Sequence, residues 1–495
     1  MAEYLHGAYG QIQAVGSRVS DQSQMAICYI GTAPVHQVQG GGENVNKPVL
    51  VSNISEARRK LGYSEDFASF TLCEAMNAHF NLNGVGPLIF INVLDPKKHV
   101  KEQTVSKTLT PSNGKVTLVE AENVVADSIT VKSGASTKVV GKDYGIAYNT
   151  DKKTITISEA RKGGLGTAEL TITYKEIDPA AVTTDDIIGA SDGYGLNSGV
   201  YVIQNVYQQT GFIPSFFVAP GFSCEPAVHS AMIQASQKIN GHWDCYVLSD
   251  IPIVDGETEI TMETAYSWKK ENGYTNENET VYFPMAEGSD GHKYHLSTLA
   301  AANLQTLLSQ QEGIPYRTAS NTACGIIKNL WVGESGKGRI YDDAIINEAL
   351  NQNGIASAAF VGGGWVIWGA HSADYDQENG DSINVAETNR MMLYYLTNDF
   401  QHRRTGDIDQ PMTANNLRSI AAEEQERVDA LVTIGALVFG QVELDMKQDD
   451  ESDLLSGDFA IRFRVTTTPL AKSLTASVSW TEEGFQTYVE SFDAD

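Results

Sequence analysis

Cysteine is scarce in this sequence, and its spacing forms no recognised motif. The five cysteines among 495 residues are Cys28, Cys73, Cys224, Cys245 and Cys324. Because their number is odd and none forms a CxxC pair, neither a zinc site nor a disulfide framework is indicated. We therefore expect a soluble chain that folds in a reducing cytoplasm.

Basic residues are also few relative to acidic ones. The chain has 35 lysines and arginines against 62 aspartates and glutamates, which gives a formal net charge of −27. A surface this acidic repels nucleic acid backbones and anionic membranes. It predicts protein partners and self-assembly, with no nucleic acid partner, although acidity can also serve solubility alone.

No hydrophobic run is long enough to span a membrane. The nearest approach, residues 354–370, is uncharged but interrupted by five glycines, and a span needs about 18 consecutive apolar residues. The N-terminal sequence MAEYLHGAYGQIQ has neither a basic start nor an apolar core of signal-peptide length. We expect no direct membrane insertion.

Catalytic motifs are missing where short strings suggest them. The string GESGKGRI at residues 333–340 has the two glycines of a phosphate-binding loop, but Arg339 and Ile340 occupy the places of the lysine and the hydroxyl residue. A Gly-rich turn is the better interpretation. The string GGGW at residues 362–365 resembles an oxyanion-hole loop, yet no GxSxG nucleophile motif accompanies it.

Metal-binding patterns are equally weak. His292 and His295 lie in a polar stretch without metal-ligand spacing, so a surface histidine cluster is favoured over a metal site. Asp407, Asp409 and the acidic residues 449–453 lack the spacing of a calcium loop and indicate solvated turns. We expect no catalytic residue, no metal and no cofactor, and hence no enzyme.

The order of apolar runs predicts an α/β (α+β) multidomain fold. Buried strands are expected at residues 25–34, 87–94 and 214–221, and helices at 55–61, with Ser55 as N-cap, and at 69–82, 197–210, 226–239, 297–310, 341–351 and 385–400. Residues 214–250 form a β-α-β unit, which should be parallel. A long helix at 413–434 should end at Gly435 and precede strands at 437–444 and 459–468.

Composition changes sharply near residue 99. From there to residue 178 the chain alternates Thr, Val and Ile with polar residues, which predicts an antiparallel β-sandwich inserted into the α/β core. The predicted domains are an extended N-terminal arm (1–22), the core (23–98 and 179–371), the insertion (99–178), a C-terminal assembly domain (372–483) and a C-terminal arm strand (484–495). The insertion's two ends should lie close together.

Several strings, taken in order, resemble the phage tail sheath family. They are AICYIGTAPV with NKPVLVSNISEARRKLGY, then SFFVAPGFSCEPAVHSAMIQASQKINGHWDCYVLSDIP, YRTASNTACGII, and WVIWGAHSAD with INVAETNRMMLYYL. The resemblance covers residues 25–95 and 195–480. The chain departs from the family at His371, where an arginine is usual, and at Thr388 and Asn389, where a basic residue is common.

The resemblance implies a structural subunit of a contractile tail sheath. Such subunits form stacked hexameric rings around a tail tube in a metastable extended state, and their contraction drives the tube through a target cell envelope. The implied partners are further copies of the chain, the tail tube protein, and baseplate and tail terminator proteins. The implied location is the virion tail, after assembly in the host cytoplasm. The alternatives are a headless contractile bacteriocin or secretion device and, less favoured, an α/β enzyme with an accessory sandwich.

The resemblance also implies terminal arms that add strands to neighbouring subunits. Strand-like segments at both ends supply the candidates, which are Ile12, Ala14, Phe485, Thr487 and Val489. Candidate contacts to the tube or to a neighbour are the basic residues near the C-terminal helix, Arg403, Arg404, Arg418 and Arg427. For Arg403 and Arg404, simple solvation in a loop is an alternative of at least equal weight.

Overall fold

The computed structural model describes residues 25–38, 40–149, 151–375, 382–444 and 456–492. The chain divides into two compact units, Met1–Thr413 and Ala414–Asp495. The sequence predicted a C-terminal domain that begins at residue 372. The structure divides later, and the helix Glu387–Arg404 belongs to the first unit.

The first unit opens with three strands and two short helices: β1 (Met25–Gly31), β2 (Pro48–Val51), α1 (Ile54–Leu61), α2 (Thr71–Met76) and β3 (Leu88–Asn92). The predicted N-cap of α1 is wrong. Asn53, and not Ser55, caps the helix, because its side chain accepts a hydrogen bond from the Glu56 backbone N–H. The second helix continues as a π-helical turn over Asn77–Asn83, within the range predicted as one helix.

The alternating segment contains seven strands: β4 (Val105–Leu109), β5 (Lys115–Leu118), β6 (Thr130–Ser133), β7 (Ser136–Thr137), β8 (Tyr144–Asn149), β9 (Thr154–Glu159) and β10 (Leu170–Tyr174). They form two antiparallel sheets, in the orders β4-β10-β6-β7 and β5-β9-β8. Inward-facing apolar residues of both sheets, such as Val131, Ile157 and Ile172, share one buried cluster. An antiparallel bridge joins Val100 to Ile177, so the two ends of the segment meet, as predicted.

The rest of the first unit alternates strands and helices: α3 (Thr184–Ile188), α4 (Val206–Thr210), β11 (Ile213–Val218), α5 (Pro226–Ala235), β12 (Tyr246–Asp250), β13 (Val254–Asp255), β14 (Thr258–Glu259), α6 (Ala265–Glu271), β15 (Glu279–Tyr282), β16 (Met285–Gly288), β17 (Lys293–His295), α7 (Leu296–Gln310), β18 (Ile327–Trp331), α8 (Asp343–Ala349), β19 (Ile355–Val361), β20 (Gly364–Trp368) and α9 (Glu387–Arg404). Of the helix predicted over 197–210, only the last five residues are α-helical, because Gly199–Asn205 adopts a 3-10 helix.

One eight-stranded sheet organises this unit, in the order β2-β3-β1-β11-β12-β15-β19-β20. Its six inner strands are parallel, and the two edge strands, β2 and β20, are antiparallel to their neighbours. Both faces are covered, since Ile27 and Tyr29 of β1 pack in one core while Cys28 and Ile30 pack in another. The predicted parallel β-α-β unit is confirmed by β11, α5 and β12.

The second unit contains α10 (Ala414–Thr433), β21 (Leu437–Leu444), β22 (Ile461–Thr467) and α11 (Phe485–Glu490). Gly435 follows the end of the helix and has a φ of 79°, a conformation that glycine adopts without strain because it has no Cβ. Both strands predicted after it are present, and they pair as an antiparallel hairpin. The acidic residues 449–453 lie outside the described residues.

Candidate assembly interface

The Gly-rich turn at residues 333–338 is filled by a carboxylate of the chain itself. Glu259 accepts hydrogen bonds from the backbone N–H groups of Glu334 (2.9 Å) and Ser335 (3.1 Å). A hydrogen bond from the Ser335 side chain, together with these backbone bonds, lowers the pKa of the Glu259 carboxyl. The backbone concavity that would hold a phosphate therefore already holds an anion, which agrees with a structural turn.

The GGGW string is a hairpin turn. Gly362 and Gly363 connect β19 to β20 and have φ values of 64° and 86°. Two successive positive φ values define the type I′ turn that suits the twist of a β-hairpin. The glycines therefore serve the connection between two strands.

A crevice of about 890 Å³ opens where the carboxyl ends of the parallel strands meet. Thr32 follows β1, Gly221 follows β11 and Ile253 follows β12 along its wall. From β1 the sheet extends towards β3 on one side and β11 on the other, which makes this edge a topological switch point. In the described part of the chain, no group of three or more metal-ligating side chains lies together.

An ion pair closes the floor of this crevice. His295 Nδ1 lies 2.8 Å from Glu74 Oε2, and the His295 backbone N–H donates to Glu74 Oε1 at 2.7 Å. Burial disfavours the imidazolium, but the charge and hydrogen bond of Glu74 and the charge of Asp250 outweigh it and raise the pKa of His295 to about 9. The predicted surface histidine cluster is therefore wrong for His295, because this side chain serves a buried carboxylate.

Asp250 links this ion pair to the start of α7. Its carboxylate accepts hydrogen bonds from the Ser297 backbone N–H (3.1 Å) and the Ser297 hydroxyl (2.5 Å), and its burial raises its pKa. A carboxylate at a helix N-terminus is stabilised by the helix dipole. The ends of β12 and α7 are thus joined by hydrogen bonds inside the unit.

A second buried polar cluster surrounds the start of β15. His229 Nε2 lies 2.7 Å from Glu279 Oε2, which also accepts from the Ser249 hydroxyl at 2.9 Å. The His229 ring stacks on Tyr274 at 3.8 Å. Close by, the ammonium of Lys269 donates to the backbone carbonyl oxygens of Asn353 (2.8 Å) and Ala373 (2.5 Å). Paired in this way, the buried charges fix neighbouring elements to one another.

The alternating segment is attached to the α/β core by hydrogen bonds around Glu122. Its backbone carbonyl lies 2.8 Å from His36 Nε2, and its carboxylate accepts from the Ser64 hydroxyl at 2.6 Å. Burial lowers the pKa of His36 to about 4, so this imidazole is neutral at pH 7 and donates as a neutral group. Val125, in the same loop, belongs to the main apolar core.

The C-terminal segment leaves large apolar side chains exposed. Residues 471–492 are exposed throughout, and residues 468–480 belong to no helix or strand. Leu474 and Val478 are each 93% exposed and Trp480 is 82% exposed. Along residues 473–481 every second residue is apolar and the intervening ones are serine or threonine. That period-2 pattern is typical of a strand with one buried face, and the sequence reasoning missed it.

Helix α10 packs closely on β21. Val428 and Leu431 of the helix are buried. A Cβ at Gly440 of β21 would lie 1.9 Å from Val428 Cγ1, so only glycine allows this approach. Gln425 of the same helix accepts a hydrogen bond from the Val442 backbone N–H at 2.7 Å.

Known proteins are similar to this chain along almost its whole length. No family model matches the sequence. The tail sheath protein of Burkholderia phage BcepMu is 24% identical over 510 residues, which cover 97% of this chain and 98% of that protein. Over almost its whole length the chain is therefore similar to a phage tail sheath protein.

Solved structures share the sheath fold. The helical sheath of the anti-feeding prophage in the contracted state has a TM-score of 0.54 at 12% identity, over 97% of this chain and all of that one. The contracted PVC sheath complex of an extracellular contractile injection system has a TM-score of 0.56 at 10% identity, over 98% and 99% of the two chains. The predicted mixture of helices and several sheets agrees with these folds.

The arginines predicted as sheath contacts are divided between the two units. In the first unit, Arg403 pairs with Asp399 at 2.8 Å and Arg404 pairs with Asp407 at 3.3 Å. In the second unit, Arg418 donates to Asn415 Oδ1 at 3.2 Å, and Arg427 lies on α10. Both arginines of the first unit therefore already have acidic partners within the chain.

The residues predicted as a C-terminal arm strand do not form a strand in the isolated chain. Phe485, Thr487 and Val489 lie on α11, not on a strand. A lone strand leaves its backbone groups to water, whereas a helical turn satisfies some of them locally. Ring contacts of Tyr488 with Phe485 (5.9 Å) and Phe492 (4.9 Å) accompany the helix. The N-terminal candidates Ile12 and Ala14 lie outside the described residues.

No described helix is long and apolar enough to cross a membrane. The uncharged stretch that raised the question, residues 354–370, instead contains the hairpin of β19 and β20. Within the sheath fold these two strands complete one edge of the main sheet.

Proposed function

We propose that this chain is the subunit of a contractile sheath that polymerises as stacked hexameric rings around a tail tube. The extended lattice is metastable, and its contraction drives the tube through a cell envelope. Full-length similarity to a tail sheath protein supports the class. The exposed, alternating residues 473–481 support assembly, because apolar side chains presented in this way mark interaction sites.

Energy for contraction is stored in packing and needs no cofactor. Two lattice packings of one rigid subunit that differ by a few kcal/mol suffice when many copies convert together. The buried ion pair of Glu74 with His295 and the buried hydrogen bonds of Glu279 support a first unit that rotates as a body, since they tie strand ends and helices to each other. The partners are further copies, a tube protein, and baseplate and terminator proteins.

The tethers between subunits are terminal segments that add strands to a neighbour. In place of the C-terminal strand first predicted, we assign this role to residues 473–481. Leu474, Val478 and Trp480 would enter one face of the acceptor sheet, while the serines between them face the other side. The N-terminal arm with Ile12 and Ala14 would be the second tether.

The proposed sheath also gives places to the alternating segment and to the arginines Arg403 and Arg404. The alternating segment at 99–178 would decorate the outside of the sheath, because both of its ends leave the core at one point. Arg403 and Arg404, which pair with Asp399 and Asp407, would in addition contact the tube or a neighbour. In a phage these sheaths belong to the virion tail and assemble in the host cytoplasm.

Electron microscopy of the purified full-length chain tests the proposal. We expect long tubes at high protein concentration, and compact monomers at every concentration would contradict it. A triple variant, Leu474→Ser, Val478→Ser and Trp480→Ser, should stay folded by circular dichroism and form no tubes.

The matched control changes the other face of the same segment. Ser473→Ala, Ser477→Ala and Ser479→Ala alter as many residues without touching the apolar side chains. This control should assemble normally. If both triple variants assemble equally well, residues 473–481 are not a tether.

A headless contractile device is the second candidate. The anti-feeding prophage and PVC structures share this fold, and this similarity supports a headless device as an alternative to a phage tail. Particles purified from the producing cell decide between the two: sheathed tails joined to DNA-filled heads indicate a phage, and sheathed tubes without heads indicate the other device.

A further inference from the structure

The alternating segment at 99–178 differs in charge from the rest of the chain. It contains 11 lysines and arginines against 10 aspartates and glutamates, which gives a formal net charge of +1. All other residues together contain 24 basic against 52 acidic residues, a net charge of −28. The acidity of the chain therefore lies outside this segment.

The sheet β4-β10-β6-β7 has an outer face without acidic residues at its paired positions. Its inner face is set by Val131 of β6 and Ile172 of β10, which are buried between the two sheets. Because side chains alternate along a strand, their neighbours in sequence face outward. With the paired positions of β4, the outward side chains are those of Ser106, Thr108, Thr130, Lys132, Thr171 and Thr173. Five of them carry a hydroxyl group, and the sixth is a lysine.

The sheet β5-β9-β8 has an outer face of the same kind. Val116 of β5 and Ile155 and Ile157 of β9 are buried against the first sheet, so the residues between them face outward. The paired outward positions are Lys115, Thr117, Gly145, Ala147, Asn149, Thr154, Thr156 and Ser158. This face also contains one lysine and no acidic residue.

The two lysines on these faces are available to a group from outside the segment. Lys115 and Lys132 are exposed, and neither has an ion-pair partner among the residues that the structure describes. Other basic residues of the segment are paired within it: Lys101 lies 3.0 Å from Glu176 and Arg161 lies 2.6 Å from Asp143.

A second copy of the chain has the acidic surface that such faces fit. Outside the alternating segment, copies with a net charge of −28 repel one another. A face without carboxylates avoids this repulsion, its lysine attracts a carboxylate, and its hydroxyl groups donate hydrogen bonds to one. We propose that the outer faces of the alternating segment dock on the acidic surface of a second copy. This inference rests on the proposed sheath function, because the sheath lattice brings copies side by side.

The contribution of this contact to assembly should depend on salt. Charges on exposed surfaces interact over about 30 Å at 0.01 M ionic strength but only over about 3 Å at 1 M. Salt therefore weakens both the repulsion between the acidic surfaces and the attraction of the two lysines. A chain without the segment can still assemble when salt screens the repulsion, but it should require a higher protein concentration in dilute salt.

The test compares two charge-reversal variants of the full-length chain. One combines Lys115→Glu with Lys132→Glu, and the matched control combines Lys47→Glu with Lys270→Glu. Lys47 and Lys270 are exposed and lie outside the alternating segment. Both variants change the net charge by the same amount, so a difference between them reports the position of the charges. Sedimentation measures the protein concentration at which assemblies form, at ionic strengths of about 0.05 M and about 0.5 M.

In dilute salt, the variant at Lys115 and Lys132 should require an about tenfold higher concentration than the wild type, because two exposed ion pairs are replaced by repulsion. In concentrated salt this difference should fall below about twofold. The control should stay within about twofold of the wild type in both salts. Equal assembly concentrations for the two variants in dilute salt would overturn the inference.

Cross-linking of the wild-type chain identifies the partner surface. A carbodiimide joins a lysine amine to a carboxylate in direct contact with it. In assemblies made from equal parts of isotope-labelled and unlabelled chain, links between different copies should join Lys115 or Lys132 to aspartates or glutamates outside residues 99–178. Links only between two alternating segments, or none from these lysines to another copy, would overturn the inference. Failure of the wild-type chain to assemble at all would instead refute the proposed sheath function.

Discussion

Replacing His295 by glutamine should destabilise the first unit, and the effect should depend on pH. The imidazolium is the cation that faces Glu74, a carboxylate with a side chain only 1% exposed. Removing one partner of a buried pair commonly costs about 3–5 kcal/mol, because the remaining charge stays buried without a counterion. Glutamine keeps a hydrogen-bond donor near Glu74 but carries no charge.

The pH dependence follows from the raised pKa of His295, which is about 9 in the folded chain against an ordinary value of 6.5. Since the folded state binds the proton more tightly, this stabilisation is complete below pH 6.5 and is lost as the pH rises through 9. The difference corresponds to about 3 kcal/mol in total, of which about 2 kcal/mol should disappear between pH 6 and pH 8.

Urea unfolding at pH 6, 7 and 8 measures the effect for wild type and His295→Gln. The wild type should lose about 2 kcal/mol relative to the variant over this range, so the two midpoints converge as the pH rises. His242→Gln is the control, because His242 is exposed. Parallel curves for wild type and His295→Gln would show that the imidazolium does not stabilise the fold.

Three further changes test other parts of the chain. Lys269→Met should cost about 1–3 kcal/mol for each carbonyl left without its donor. Because burial lowers the pKa of Lys269 to about 8, the wild type should gain stability relative to the variant between pH 8 and pH 10.5, measured as the difference between their free energies of urea unfolding. Gly440→Ala should destabilise the second unit by about 1–3 kcal/mol through the clash with Val428, and Val428→Ala in the same chain should relieve it, as measured by hydrogen exchange in β21. Residues 101–176 can be replaced by a short Gly/Ser bridge, and this deletion should preserve tube formation in electron micrographs. It should lower thermal stability, because His36 loses its hydrogen bond to the Glu122 carbonyl. Loss of all soluble assembly would show that the segment belongs to the core.

The α/β core was predictable because its strands are buried on both faces. A parallel sheet covered by helices requires continuous apolar runs, and MAICYIG of β1 and LIFIN of β3 provide them. The end of α10 was also predictable, since Gly435, which follows it, adopts a positive φ that glycine tolerates without strain. Local chemistry and burial agree in these elements.

The sequence predictions fail where the structure of a segment depends on residues far away in the chain. His295 looked like a surface residue, because no local pattern shows that Glu74, which lies 221 positions away, would meet it. The segment GFQTYVESF has strand-forming residues, yet without a neighbouring strand it forms α11. The side-chain contact between Gln425 and β21 could not be predicted either, because it depends on how closely α10 approaches Gly440.

The second unit leaves the most to be completed by assembly. A two-stranded hairpin is marginal by itself in water, and stability requires a third strand or a covering helix. Helix α10 covers β21, which satisfies part of this requirement, and Gln425 of this helix accepts a hydrogen bond from the Val442 backbone N–H. Residues 473–481 follow β22 in the chain, are extended in pattern, and bury none of their apolar side chains within the subunit. If a segment of this kind joins the sheet of a neighbouring copy, the ordering of one subunit depends on the presence of the next. Strand addition would then stabilise the sheet and link the subunits in the same step, so that the lattice holds together while the first units rotate.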